Sequence, residues 1–578
     1  MTIEWITIGA YFGFLLILGF FFSKLNRNLS DYIRGGAQAT WWLAGTSALM
    51  GGISAFTFTG NAAAAFQAGP VMLTVYLGNC IGLLLCWLFV AARLRQTRAY
   101  TTADIIRQRF GPEAESISVV FGVVLAPVNA AIQLWALSTF LSAVFGLPIL
   151  PTIVTIGSVV LVYSTTGGRW AVMATDFLQS LILLPVTLLL AYLALRYVGG
   201  WEGFMVYWSD PSIQQDFKFI KEPGEFSGDR FTLGWIGAVL ILQVSTFISM
   251  NTAGRFLSVK DGREASRSAL LSLVLMTAGA VVWVLPAIVA RFRFEEKVMA
   301  VGLDNPAEAA YSIAALELLP NGLVGLMIVA MLAATMSSMD TGLNSMTGAI
   351  VRNLIQPARQ LYGAKGLSDK ANVWVCRLVT TLLGGTIICY AIIMATQNSF
   401  ELFDAFLILN STIGLPLGIP LIAGLFIKRL PRSSYFVMIG ICALPSIYTY
   451  WDGAINDNMW SMQERTFLIC AAALLSLLVC MPFYRYSADS YKSRVDKLFV
   501  LMRTPVDFTT EIGESRDHQQ LQVLGTAALV AGLFLSLFIF LPNPLWGRLS
   551  IGFVAGFVLF VGLFLRWIAG RQLRKNAG

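Results

Sequence analysis

The sequence predicts an all-α integral membrane protein with about fifteen transmembrane helices, and three observations predict it. Hydrophobic residues make up 57% of the 578 positions and charged residues only 12%, a balance that a water-exposed globular surface does not hold. Apolar runs of roughly 20 residues, the length of one helical crossing, recur along almost the whole chain. Basic residues gather in every second gap between the runs, the asymmetry that the positive-inside rule describes.

In chain order the runs lie near residues 3-23, 41-68, 72-92, 116-145, 150-164, 171-195, 232-254, 268-290, 322-350, 374-395, 401-427, 434-450, 466-483, 522-541 and 547-567. The first, Ile3 to Phe22, has no basic stretch before it and no small-residue cleavage site after it, so it reads as a retained helix and not a signal peptide. With the N-terminus outside, about 31 of the 40 Lys and Arg fall on the cytoplasmic side of a cell membrane. They include Arg34, Arg93, Arg95, Arg98, Arg109, Arg255, Lys260, Lys428 and, at a cytoplasmic C-terminus, Arg571, Arg574 and Lys575.

The organisation that follows has an N-terminal transmembrane helix (1-24), two five-helix units (41-198 and 232-429) and two further helices (434-485). A charged cytoplasmic loop (486-521), read as a linker, leads to a terminal helix pair with a basic tail (522-578). The outside loops 199-231 and 292-321 are long enough for short surface helices.

Composition also excludes several functions. The net charge of +8 is scattered through short loops without interleaved aromatics, which argues against nucleic acid as a partner. Seven cysteines in or beside apolar runs, without paired spacing, suit packing better than disulfides or zinc. The single histidine, His518, lies in a polar stretch, and no nucleophile, triad or phosphate loop has usable spacing, so no catalytic residue and no enzyme is expected. No obligatory protein partner is evident; the expected partners are the lipid bilayer, a small solute and a co-transported ion.

Two runs are interrupted by polar and small residues. Met50-Gly51-Gly52-Ile53-Ser54-Ala55 falls midway through the second run, where paired glycines weaken a helix. Gln243 to Gly254, with Ser245, Thr246, Ser249 and Asn251, interrupts the seventh. A mid-membrane break leaves carbonyls without helical partners, which lipid tolerates only where the segment lines a cavity or holds an ion. The same position is broken in both five-helix units, the pattern of inverted-repeat transporters.

Between them in importance stands Ala333 to Ser345. At about 100° per residue, Ser337, Thr341 and Asn344 fall within about 60° of one another, with Ser338 and Asp340 flanking them. Hydroxyls and a carboxylate on one helix face are oxygen ligands suited to a hard cation such as sodium. Any single hydroxyl is as well explained by bonding to the preceding helical turn. Asp340 is not, because a carboxylate at the bilayer centre costs about 2.5–3.5 kcal/mol unless it faces a partner or water. Asp176 is a second acid of this kind; on the residues alone it either pairs with Arg169 or shares a cation with Asp340.

With these features the chain resembles the sodium:solute symporter family over roughly residues 1-485. The resemblance rests on Trp41-Trp42 before the Gly-Gly-Ile-Ser-Ala break, on Gly167-Gly168 with Thr175-Asp176 and Gln179, on Ala334, Ser337-Ser338 and Leu343-Asn344-Ser345, and on Gly424 to Arg429. It implies a LeuT-type 5+5 inverted-repeat core. It also implies a first sodium site from the carbonyls of Met50, Ile53 and Ala334 with the hydroxyls of Ser337 and Ser338. A second sodium site, found in some members, corresponds to Asp176, Ser337, Asp340 and Thr341. Asp340 departs from the family, where serine is usual. Positions at which a sugar-carrying member has Glu and Lys read Tyr76 and Met276 here. The implied solute pocket is therefore polar but nearly uncharged, lined by Phe56, Thr57, Tyr76, Asn79, Gln243, Ser245, Thr246 and Ser249. The expected function is sodium-coupled symport of a neutral hydroxylated, sugar-like solute; the alternatives are a proton-coupled or monocarboxylate symporter of the same fold, and a membrane sensor module.

Overall fold

The computed structural model describes residues 33–166, 169–248, 254–363, 368–396, 402–456, 458 and 460–577, together with 6, 7, 9, 10 and 13. The expected first span, 3-23, lies largely outside the described residues, and Ser249 lies wholly outside them.

Ten helical segments among the described residues, from Ala55–Gln96 to Leu545–Gln572, are long and apolar enough to cross a membrane, and Ile149–Val162 and Leu233–Phe247 are shorter apolar helices. Each such helix satisfies its own backbone groups, which is why lipid admits it. The only extended pairing among the described residues is a single bridge between Ala39 and Val259.

The first interrupted run becomes α1 (Trp41–Gly52), α2 (Ala55–Phe58) and α3 (Gly60–Ala68). At Ile53 and Ser54 the chain is extended, with φ/ψ of −119°/139° and −150°/−178°. The chain then runs through α4 (Leu73–Leu85), α5 (Ala91–Gln96), α6 (Thr102–Phe110), α7 (Pro112–Phe145), α8 (Ile149–Thr166) and α9 (Arg169–Tyr197). The second interrupted run contains α10 (Leu233–Phe247), capped at Ile248; residues 249–253 lie outside the described residues, and Gly254, Arg255 and Phe256 are helical. Next come α11 (Gly262–Arg293), α12 (Leu323–Ala349), α13 (Asp369–Thr396), α14 (Leu402–Leu409) and α15 (Leu415–Phe426). After them stand α16 (Ser434–Asn456), α17 (Met462–Cys480), α18 (Asp489–Leu501), α19 (Asp517–Ser536) and α20 (Leu545–Ala577). The two long outer loops carry short helices, among them Gly200–Trp208 and Ala310–Leu318.

α1 packs on α11, α9 and α12, while α4 packs on α10 and α11. A second group joins α7, α8, α12 and α13, and α9 lies along α12. The segment containing α12 is the most enclosed of the ten: 94% of its apolar window is buried, against 28–67% for the others, so its polar side chains face protein and not lipid.

The stretch 486-521 is not a plain linker. α18 docks on α6, where Tyr491 receives a hydrogen bond from Arg109 (2.5 Å) and donates to Leu430 O (2.8 Å). Arg98 donates to both carboxylate oxygens of Glu511 (3.0 and 2.8 Å) and to the carbonyls of Thr504 and Pro505 (3.2 and 3.1 Å). Lys260 pairs with Asp517 and Ser515, and Lys428 with Asp496 at 2.7 Å. These partners lie from 61 to more than 400 positions apart in the chain, so the local charge pattern resembles that of a solvated loop.

Candidate functional site

Residues flanking the second interruption reach two glycines of the first. A β-carbon on Gly52 would come within 3.2 Å of Phe247 at the end of α10. One on Gly51 would fall 2.1–2.4 Å from the guanidinium of Arg255, just beyond the second interruption. A side chain at position 51 would displace the Arg255 guanidinium, and one at 52 would press on Phe247 and Met276, so glycine at both positions allows the close approach.

α12 grips both ends of the first break. The Ser338 hydroxyl lies 3.0 Å from Ile53 O, 3.3 Å from Met50 O and 3.4 Å from Gly51 O. Three residues earlier, Thr335 Oγ1 accepts the Ala55 N–H at 2.8 Å. The helix thus offers a hydroxyl to the carbonyl end of α1 and an oxygen to the N–H end of α2, the two sets of groups that a helix terminus leaves unpaired.

One hydroxyl hydrogen serves one carbonyl at a time, so three carbonyls around Ser338 leave acceptors in excess. The adjacent Ser337 Oγ is buried without a hydrogen bond. Ala334, buried, stands one turn before Ser338. Around Ser338, then, the carbonyl oxygens of Met50, Gly51 and Ile53 outnumber donors, an arrangement that fits a hard cation, while Ala334 and Ser337 stand on the same helix with Ser337 beside Asp176.

Below this cluster Asp176 of α9 is completely enclosed. Its Oδ2 accepts from Ser47 Oγ at 2.5 Å, while Oδ1 has no hydrogen-bond partner; Ser337 lies beside this carboxyl. Ser47 Oγ in turn accepts from Arg255 Nε at 3.0 Å, and Arg255 Nη2 donates to Thr341 Oγ1 at 2.6 Å. Asp340 points away from this group, to Ser164 of α8. Arg169 donates to Ser345 Oγ (2.7 Å) and Ile33 O (3.2 Å). Sequence reasoning counted Arg255, Arg95 and Arg109 among loop cations, yet each is buried. A cation at a helix end has the same sequence signature whether it turns outward or inward.

On the other side of the break, Phe56 packs on Phe403 and Phe406 at 6.3 and 5.0 Å between ring centroids. Tyr76 packs on Trp283 at 5.7 Å, and Asn61 Nδ2 donates to Tyr76 OH at 3.4 Å. Tyr311, a neighbour of Tyr76, packs on Phe58 at 5.0 Å. Asn61 Oδ1, Asn79 Oδ1, Trp283 Nε1 and Tyr311 OH are buried and lack hydrogen-bond partners. Such orphaned groups are expensive unless a ligand or water meets them. Asn61, Trp283 and Tyr311 were not named from sequence; Asn61 and Trp283 are polar-tipped residues within apolar runs, whereas Tyr311 belongs to the outer loop 292-321 and carried no such signal. Gln243 packs on Gly78, whereas Ser245 and Thr246 donate back to Leu242 O at 2.7 and 3.0 Å. Thr57 Oγ1 accepts the Ser54 N–H at 3.4 Å.

Comparison with known proteins agrees with this architecture. A family model described as "Sodium:solute symporter family" matches residues 32–442. The sodium/glucose cotransporter 1 of Ovis aries is 25% identical over 504 residues, 78% of this chain and 73% of that one. The sodium/myo-inositol cotransporter 2 of Oryctolagus cuniculus is 26% identical over 453 residues, 74% of this chain and 66% of that one. Among solved structures, a Na+-coupled sialic acid symporter has a TM-score of 0.68 at 20% identity, covering 84% of this chain and 98% of its own. MHP1, a nucleobase-cation-symport-1 family transporter, gives 0.52 at 15%, covering 82% and 99%. The fold is the all-helical one of LeuT-type transporters.

Proposed function

The chain belongs to the sodium:solute symporter family, and from that membership we propose that it imports a small, neutral, hydroxylated solute together with sodium by alternating access. Sodium is the family's co-transported ion. The observation that carries the site is the Ser338 hydroxyl among the carbonyls of Met50, Gly51 and Ile53. Sodium there, with Ser337 and the Ala334 carbonyl, replaces one shared hydrogen by a full charge and draws α12 onto the broken helix. Solute then binds beyond the break, and occupation of both sites permits closure toward the other side.

The solute site is lined by Phe56, Thr57, Tyr76, Asn79 and Gln243, joined by Asn61, Trp283 and Tyr311. Ser245 and Thr246 offer lone pairs only, since their hydrogens are committed to Leu242 O. Uncharged orphan donors and acceptors suit hydroxyl groups, and relatives named for glucose and myo-inositol point the same way. We read the end bearing Arg98, Lys260 and Lys428 as cytoplasmic, with about fifteen crossings and repeats over 41-198 and 232-429. One sodium ion moving inward through 100 mV supplies about 2.3 kcal/mol, enough for roughly 50-fold accumulation at full coupling.

The test is a screen of sugars, sugar acids, polyols and monocarboxylates for thermal stabilisation of the purified protein, with and without sodium. Neutral polyhydroxylated ligands that stabilise only with sodium support the proposal; stabilisation confined to carboxylates, or independent of sodium, refutes it. A second reading, proton coupling, has one observation behind it: the enclosed Asp340 carboxyl is partnered by the Ser164 hydroxyl. Uptake driven by a pH gradient in sodium-free buffer would favour it.

A further inference from the structure

The group that implies a second sodium site contains a side chain that sequence reasoning placed in a loop. Arg255 is only 2% exposed. Its guanidinium spans Ser47 Oγ (Nε, 3.0 Å) and Thr341 Oγ1 (Nη2, 2.6 Å) and lies flat on the glycine face at position 51. Ser47 passes the contact to Asp176 at 2.5 Å. Thr341 and Asp176 are two of the four groups that a second sodium ion would use, and here one is bonded to the guanidinium and the other stands one hydroxyl away. Asp340, the third, is engaged with Ser164 on a different helix.

We propose that Arg255 is a tethered cation occupying the place of a second sodium ion, so that this chain binds one sodium ion and Arg255 determines that stoichiometry. The proposal rests on the sodium-coupled reading above and adds to it the charge at the Asp176 end of the site.

Three physical points support it. Asp176 is enclosed, and a buried carboxylate needs a compensating positive charge. A guanidinium is always charged, so it compensates Asp176 at every sodium concentration. A mobile cation about 4 Å from the guanidinium loses on the order of 1,000-fold in affinity at an effective dielectric near 20. The glycine at position 51 is what admits the flat guanidinium, which ties the tethered charge to the broken helix that rearranges during transport.

The experiment counts radioactive sodium bound at equilibrium per full-length chain, in purified wild type, Arg255→Gln, Arg255→Lys and the double variant Arg255→Gln/Asp176→Asn. Wild type and Arg255→Lys are expected to bind the same number of ions. Arg255→Gln is expected to bind one more, and the double variant to lose that extra ion. An Arg255→Gln count equal to wild type, in protein that elutes as a single species and melts cooperatively, overturns the proposal. So does a wild-type count of two, which needs no variant to fold. Ser338→Ala in both backgrounds separates the two readings. If it leaves every count unchanged, the first-site assignment falls, while the difference between wild type and Arg255→Gln still decides the role of Arg255.

Discussion

Replacing Ser338 by alanine removes one of the oxygens of the proposed sodium site. Its hydroxyl lies 3.0–3.4 Å from three carbonyls, so alanine takes away the oxygen that stands among them. A contact to a charged group contributes about 1.5–3 kcal/mol, which at 1.4 kcal/mol per decade means a loss of roughly 10- to 100-fold in sodium affinity. In proteoliposomes the sodium concentration for half-maximal uptake should rise by that factor, and at ordinary sodium levels uptake should nearly vanish. Sodium-dependent thermal stabilisation of the purified protein should shift by the same factor without any solute. Thr347→Val is the matched control, because it removes a hydrogen bond on the same helix, to Thr380 at 2.9 Å, away from the break. A folded Ser338→Ala protein with an unchanged sodium requirement would refute the assignment.

Four further outcomes are expected. Gly51→Ala should lower the melting temperature through overpacking of about 1–3 kcal/mol, and combining it with Arg255→Ala should cost less than the sum of the two, since the clash is with that side chain. Tyr311→Phe removes a buried hydroxyl that has no partner, so stability should hold or rise while solute-dependent stabilisation weakens; unchanged solute affinity would remove Tyr311 from the pocket. Glu511→Gln should expose residues 502–516 to limited proteolysis without altering the sodium requirement, because Arg98 loses its bidentate partner. Lys221 in the outer loop is buried and its pKa is pushed down to about 8. The folded protein then releases this proton before the unfolded chain does, and stability should increase as pH rises from about 8 toward the ordinary lysine range. Melting curves of wild type and Lys221→Met across that window should converge at the alkaline end.

The apolar runs, the first break and the hydroxyl-rich helix were readable because each follows a local rule: crossing length, glycine weakness and helical period. Ser338 could be placed beside Met50 and Ile53 only through resemblance, since no local rule brings residues nearly 290 positions apart together. Arg255, Arg95 and Arg109 were misread for the reason that makes loop-charge counting useful: it records which end of a helix a cation occupies and not which way it points. The docking of residues 486-521 depends on partners as distant as Gln38 and Arg98, so a polar stretch concealed a clamp. Of the buried polar groups beyond the break, Tyr76 and Asn79 were named from sequence and Asn61, Trp283 and Tyr311 were not, because a lone polar residue in an apolar run is ordinarily packing and Tyr311 belongs to an outer loop.

The grip of α12 on both ends of the break constrains the kind of motion available there. Thr335 holds the N–H end and Ser338 the carbonyl end, one turn apart on a single rigid rod. Sliding the broken helix along that rod would forfeit both attachments together, whereas tilting one half releases only its own. The geometry behaves like a door hung on two pins: the halves can swing separately, each about the attachment that the other leaves intact.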